Sequence, residues 1–228
     1  MASDPTVSGY PIIFDLTDRL CVVVGAGSVG CRKARDLLTA GARVRLVSTT
    51  PPFDNSLSNQ VDLQIKAFAP NDLDNAVLAF AATGADQVDR EVCAAAKARS
   101  IPINCAASPA DGDFQLPATL RRGDLLLAVA TNGRSPALAR ALRDRLAGDF
   151  GPEWADIVEI LGRLRTRKLT DKCEKTYSYK VLDKLLASGL AEHVAAGHTT
   201  EVNTLLARIL DEAISLEDLG LALRDISS

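Results

Sequence analysis

Histidine is nearly missing from this 228-residue chain: only His193 and His198 occur, both near the C-terminus, which excludes a histidine-rich metal site. Positive charge is not in excess. The formal net charge of −3 leaves no polyanion footprint, so nucleic acid is not expected as a partner. No apolar run approaches the length of a membrane span. The opening MASDPTVSGYP has neither the basic n-region nor the apolar core of a secretory signal. The five cysteines (Cys21, Cys31, Cys93, Cys105 and Cys173) are scattered and contain no C-x-x-C pair. That pattern predicts reduced thiols acting as small hydrophobes in a cytoplasmic protein. The remaining composition, 47% apolar, is that of a soluble globular chain with room for one large domain, or one plus a smaller one.

Within it, residues 20–47, LCVVVGAGSVGCRKARDLLTAGARVRLV, spell a complete β-α-β unit. Leu20 to Val24 is the β-branched apolar run of a strand buried on both faces. Gly25, Gly27 and Gly30 then form G-x-G-x-x-G where strand gives way to helix. In such a turn the first glycine makes the tight bend, the second lets backbone approach a pyrophosphate, and the third lets helix pack on strand. The helix from Ser28 to about Ala40 aims its first N–H groups at the phosphates. Gly41 ends it, and Arg43 to Val47 returns as a second strand. The flanking strand and helix turn a weak motif into a specific one, a dinucleotide site.

The alternation continues with predicted strands at Val61–Phe68, Ala76–Thr83 and Pro102–Ala106 and a helix at Asp86–Ser100. This predicts an α/β, Rossmann-type doubly wound parallel sheet with its ligand at the carboxyl ends of the strands. From Phe114 the texture changes. Leu125–Thr131 reads as a buried strand, Pro136 to about Phe150 as a helix capped by Ser135, and Gly151-Pro152 as a break. Helical patterns follow at Glu153–Lys168, Tyr179–Ser188, Thr200–Ala213 and Ser215–Arg224. The expected organisation is therefore a dinucleotide domain at 1–113, a second segment at 114–150 and a small helical domain at 151–228.

Two constellations carry candidate chemistry. At the end of the second strand a carboxylate usually holds the cofactor ribose; here the chain reads Ser48-Thr49-Thr50 instead, so charge does not decide between NAD and NADP. Thr83, at the end of the fourth predicted strand, would face the same crevice, with turn formation as the plainer role. The second constellation is Thr131-Asn132-Gly133-Arg134-Ser135, a turn, a cation and a helix N-terminus together, suited to a carboxylate or phosphate. Arg121, Arg122, Arg140 and Arg143 lie nearby in sequence, while Arg145 reads as part of a solvated helix face. Tyr177 and Tyr179 read as packing residues, and the two histidines as surface or capping residues.

The stretch YPIIFDLTDRLCVVVGAGSVGCRKARDLLTAGARVRLVS resembles the opening of the siroheme-synthase dehydrogenase/ferrochelatase family. Ile103-Asn104, Phe114 to Ala118, Arg122-Gly123-Asp124 and Gly133 to Ala139 match later motifs of that family in order. The resemblance covers residues 10–165 and is to the standalone form, without the methyltransferase domain of the fused members. It implies an NAD⁺-dependent oxidation of precorrin-2 to sirohydrochlorin, with Fe²⁺ insertion as a further activity of some members, in an intertwined homodimer. It also implies NAD contacts at Ser28-Val29 and Thr49-Thr50 and a tetrapyrrole contact at Thr131; Asn104 and Ser108 stand beside it as candidate substrate contacts, and Asn104 with position 107 as a candidate catalytic residue. Precorrin-2 carries eight carboxylate side chains, which suits the Arg134 turn.

One departure matters. The family's N-x-x-D motif, whose Asp is implicated in proton removal and chelation, reads Asn104-Cys105-Ala106-Ala107 here. Ala107 can neither accept a proton nor approach a metal. The intact motifs around it favour a disabled, engineered position over a natural member that has lost or moved the activity. Asp111 and Asp113 lie nearby, although Gly112-Asp113 reads as a turn. A non-catalytic NAD or tetrapyrrole sensor or carrier is the alternative that Ala107 keeps open. A generic NAD(P)-dependent dehydrogenase lacks a His-Lys or Tyr-Lys pair near Thr83 or Asn104.

Overall fold

The computed structural model describes residues 9–170 and 179–224, so Cys173 and Tyr177 lie outside the described residues. Two compact units divide between Leu116 and Pro117.

The first unit is a five-stranded parallel sheet in the order β3-β2-β1-β4-β5. Its strands are β1 (Leu20–Val24), β2 (Arg43–Ser48), β3 (Asp62–Ile65), β4 (Leu78–Ala81) and β5 (Ile103–Cys105). Alternate side chains feed two cores, as strand geometry requires. Cys21, Val23, Val44, Leu46 and Phe80 pack with Cys31, Ala34 and Leu37 of α1 (Ser28–Thr39). Val22, Val24, Ala79, Ala81, Ile103 and Cys105 pack with Val92, Cys93 and Ala96 of α2 (Asp86–Lys97). Because β1 pairs with both β2 and β4, the strand order reverses at β1, and the crevice of a doubly wound sheet opens at its carboxyl end.

Cysteine is where this unit departs from the sequence reading. Cys93 and Cys105 form a disulfide between α2 and β5, while Cys21 and Cys31 are buried thiols. The two half-cystines are 12 residues apart, and only the β4–α2–β5 crossover lays one over the other, which spacing alone does not reveal. The expectation that every cysteine is a reduced hydrophobe is thereby corrected for this pair.

In the second unit, β6 (Ala118–Arg122) and β7 (Leu125–Val129) form an antiparallel hairpin through Gly123-Asp124, with Gly123 at φ +54. The polar run ATLRR hides β6 from periodicity. β7, expected to be buried, leaves Leu125, Leu126 and Leu127 half-buried in this chain. The following helix α3 (Pro136–Asp149) is capped by Ser135, whose Oγ accepts from Leu138 N at 3.2 Å. Helices α4 (Trp154–Thr170), α5 (Tyr179–Ala187), α6 (Leu190–Ala195) and α7 (Thr199–Leu210) enclose a separate core of Ile157, Ile160, Leu164, Leu185, Leu190, Leu206 and their neighbours.

Helix α6 is too short for its period to stand out, and left-handed glycines bracket it, Gly189 at φ +88 and Gly197 at φ +68. The helix expected over Ser215–Arg224 is reduced to one 3-10 turn, Glu217–Leu219. Asp218 Oδ2 accepts from both Ser215 N and Ser215 Oγ, and Gly220 turns left-handed at φ +68, so the pattern is stopped after a single turn. Beyond it, Arg224 is clasped by Asp156 of α4, with Nε 3.1 Å from Oδ1. Among the described residues, no helix is long and apolar enough to cross a membrane.

Candidate cofactor crevice and substrate turn

The glycine turn is locked from within and open without. Gly25 sits at φ +105 with its N–H bonded to Val47 O, and a Cβ there would lie 2.2 Å from Ala82 O. A Cβ on Gly30 would meet Gly25 O at 1.8 Å, so backbone packs directly on backbone. Gly27 is different: it is extended at the N-cap of α1, and a Cβ there would meet nothing within 4 Å. Ser28 and Val29 are exposed beside it, and the first turn of α1 carries no acidic residue. The unbonded N–H groups of that turn are thus available to an anion with no carboxylate competing. These features fit a pyrophosphate.

Around the rim, Ser48 Oγ accepts from Thr50 N at 3.2 Å, which fixes the loop after β2 and leaves Thr49 and Thr50 exposed. Phe53 N donates to Ala26 O at 2.8 Å, tying that loop to the glycine turn while the Phe53 ring stays 77% exposed. Thr83, by contrast, is absorbed by local structure. Its Oγ1 donates to Asp89 Oδ1 at 2.7 Å and accepts from Ala85 N at 3.1 Å, the turn-forming role.

Asn104 is one residue from the end of β5 and only 8% exposed. Its Oδ1 accepts from Lys33 Nζ at 2.8 Å, and its Nδ2 donates to Phe114 O at 2.9 Å. The carboxamide is therefore engaged at both ends inside the unit. Burial pushes the Lys33 ammonium below its ordinary value, and the neighbouring Arg32 adds to the effect. Nζ lies 5.2 Å from the Phe80 ring centroid.

Ala107 is exposed, Ser108 half-buried, and both line a cavity of about 250 Å³ between α2 and the loop after β5. Asp86, Asp89, Arg90, Asp111 and the Cys93–Cys105 disulfide line it as well. Asp113 is a clasp and not a site residue: its N–H donates to Ile103 O and its Oδ2 accepts from Ile103 N at 3.1 Å. No three His, Cys, Asp or Glu side chains converge as a metal site among the described residues.

In the second unit, Thr131 to Ser135 form one turn. Arg134 N donates to Thr131 O, Ser135 N donates to Thr131 Oγ1 at 3.1 Å, and Asn132 and Gly133 are left-handed at φ +50 and +75. The Arg134 side chain is exposed at the mouth of α3. Arg122 is committed elsewhere, its Nε donating to Phe150 O at 3.0 Å, and Arg143 pairs with Asp144 at 2.6 Å.

Sequence reasoning missed Lys33, Phe53 and Asp89. Two of them carried a signal. Lys33 stands among Gly30, Ala34 and Leu37 on the buried face of α1, and Asp89 among Val92, Cys93 and Ala96 on that of α2. A charge on an apolar helical stripe is costly unless something uses it.

Fold and site together define a dinucleotide-binding α/β protein with an appended hairpin-and-helix unit. Comparison with known proteins agrees. Residues 12–118 match a family model described as "Putative NAD(P)-binding", and residues 122–148 match "Sirohaem biosynthesis protein central". Siroheme synthase of Nitrosomonas europaea is 32% identical over 214 residues, 89% of this chain and 44% of the relative. Siroheme synthase 2 of Klebsiella pneumoniae is 38% identical over 160 residues, 69% of this chain and 35% of the relative. The chain belongs to the siroheme synthase N-terminal module family. It spans less than half the length of these curated relatives. A solved structure, SirC, precorrin-2 dehydrogenase, has the same fold, with a TM-score of 0.66 at 24% identity over 89% of this chain and 100% of that one.

Proposed function

We propose that this chain oxidises precorrin-2 to sirohydrochlorin with NAD⁺, in the cytoplasm and as a homodimer. The observation that carries the reading is the glycine turn at the carboxyl end of β1, closed by Gly25 and Gly30 and open at Gly27 onto the α1 N-terminus. Gly27, Ser28 and Val29 would hold the pyrophosphate, and Ser48, Thr49 and Thr50 the ribose hydroxyls. When bound, NAD⁺ supplies the hydride acceptor. Residues 114–150 are the dimerisation and tetrapyrrole segment in this reading. The half-buried β7 leucines would be covered by the partner, and Arg134 with Thr131 and Ser135 would receive substrate carboxylates.

The chain's own work is to orient the tetrapyrrole, exclude water and accept one proton. Ala107 supplies no carboxylate for the Fe²⁺ insertion that some family members add, so Fe²⁺ as a second substrate has no ligand at that position. Ala107 also favours a second reading, a non-catalytic carrier of NAD or tetrapyrrole.

The test is anaerobic conversion of precorrin-2 with NAD⁺, followed by absorbance, for the parent chain and an Ala107→Asp variant. NADH binding is measured in parallel. Turnover by the parent supports the oxidation, whereas turnover by Ala107→Asp alone shows position 107 to be a disabled site in this chain. Tight binding of both ligands with no turnover by either establishes the carrier reading instead.

A further inference from the structure

Asp89 is 96% removed from solvent by its 4% exposure, yet only half of its carboxylate is used. Oδ1 accepts from Thr83 N at 3.0 Å and from Thr83 Oγ1 at 2.7 Å. Oδ2 is buried and has no hydrogen-bond partner, the one such side-chain atom among the described residues. Native proteins rarely leave a carboxylate oxygen in that state, because an unpaired buried acceptor forfeits its hydration with nothing in return, and a charged one forfeits more. A cap on the turn after β4 needs one acceptor, which a neutral side chain would provide at lower cost. The second oxygen calls for another explanation.

Its surroundings supply one. Asp89 lines the same cavity as Ala107 and Ser108, beside the loops that follow β4 and β5, at the ligand-binding end of the sheet. Asp86 and Asp111, which also line it, are exposed, and Arg90 brings a cation to the same wall. The two bonds from Thr83 fix the Asp89 rotamer, so the carboxylate is held in one orientation in the cavity wall.

Resting on the oxidation proposed above, we propose that Asp89 is the proton-accepting carboxylate of this chain, acting from α2 in place of the acid that position 107 lacks. One hydrogen leaves the substrate as hydride, with the C–H bonding pair, to the oxidised nicotinamide. A second leaves as a proton, and the pair it abandons becomes the new double bond. Because Oδ2 is closed off from the substrate itself, a water in the cavity takes that proton and relays it to Asp89, which later returns it to solvent by the same route. The products are sirohydrochlorin, NADH and one proton.

The experiment compares the parent with Asp89→Asn, Ala107→Asp and the double variant. Asparagine keeps size and an Oδ1 acceptor for Thr83, so the turn and the fold are retained. Asp89→Asn is expected to lower kcat roughly 10²–10⁴-fold, the usual worth of general-base catalysis, with KM for precorrin-2 and Kd for NADH unchanged. Adding Ala107→Asp to it restores turnover, which a merely structural role for Asp89 would not permit. Parental kcat in Asp89→Asn overturns the assignment and leaves the dehydrogenase reading standing; an inactive parent beside an active Ala107→Asp overturns the assignment and the oxidation by this chain together. Absence of turnover in parent and Ala107→Asp alike overturns both.

Discussion

Lys33 Nζ donates a 2.8 Å hydrogen bond to Asn104 Oδ1, joining the first helix to the last strand of the sheet across 71 residues, with both side chains 8% exposed. Together with the Phe80 ring and the charge of Asp36, this bond compensates the buried ammonium. Asn104→Ala is expected to destabilise the first unit by about 1–3 kcal/mol, because it strands that charge. Lys33→Met removes charge and donor together and costs less. Urea unfolding of the two variants gives the order.

The same lysine predicts a pH dependence. Its folded pKa lies below the ordinary 10.5, so the unfolded chain binds the extra proton between the lowered value and 10.5. Stability contributed by this site therefore rises with pH across that window. The stability difference between parent and Lys33→Met, followed by denaturant titration at alkaline pH, should shift in the parent's favour as pH rises. A constant difference would refute the burial argument.

Asp62 behaves in the opposite sense. The hydrogen bond from Arg45, 2.7 Å from Asp62 Oδ2, and then that from Gln64 hold its carboxyl below the ordinary 3.8. A depressed acid contributes stability that is present above 3.8 and lost as pH falls through the lowered value. Asp62→Asn should melt below the parent at pH 6 and converge with it in acid. Both groups are partly exposed, so the gap at neutral pH is small and shrinks with salt.

The glycines separate folding from binding. Gly30→Ala would drive Cβ into Gly25 O and should lower Tm or prevent folding, whereas Gly27→Ala meets open space and should leave Tm unchanged. Gly27→Ala fills the surface where pyrophosphate would lie, so NADH titration should show weakened binding at parental Tm. Equal NADH affinity in Gly27→Ala and the parent would move the phosphate site elsewhere.

Reduction tests the α2–β5 crosslink. Closing the loop between half-cystines 12 positions apart is worth about 2–4 kcal/mol, so dithiothreitol or Cys93→Ser should lower the melting temperature. Cys21 should resist alkylation in the native state, because burial pushes its thiol up to about 11 and Arg19 offsets this only in part. Mass mapping after iodoacetamide at pH 8 distinguishes the four described cysteines.

Much of the fold is local and was legible. The β1–α1–β2 unit, the Ser135 cap with Pro136 and the parallel alternation rest on periodicity and turn chemistry within a few residues. What escaped was either short or contextual. β6 is a polar pentamer that becomes a strand only because β7 pairs with it, and the 215–224 pattern is stopped by an Asp218 side-chain bond that propensity ignores. Among the candidate site residues, Gly25 and Gly30 have the close backbone approaches their motif implies, since the motif is itself a backbone constraint. Thr83 and Asn104 were chosen by position, and the fold gives both of them internal partners.

The sequence by itself determined the dinucleotide turn, the sheet class and the empty position at Ala107, because each is written in neighbouring residues or in residue identity. Tertiary structure alone decided that Cys93 meets Cys105, that Lys33 rests on Asn104, and that Asp89 is buried with one oxygen free beside Ala107. Those pairings depend on which helix covers which face of the sheet. Side-chain chemistry is local, but burial and proximity are properties of the packed whole.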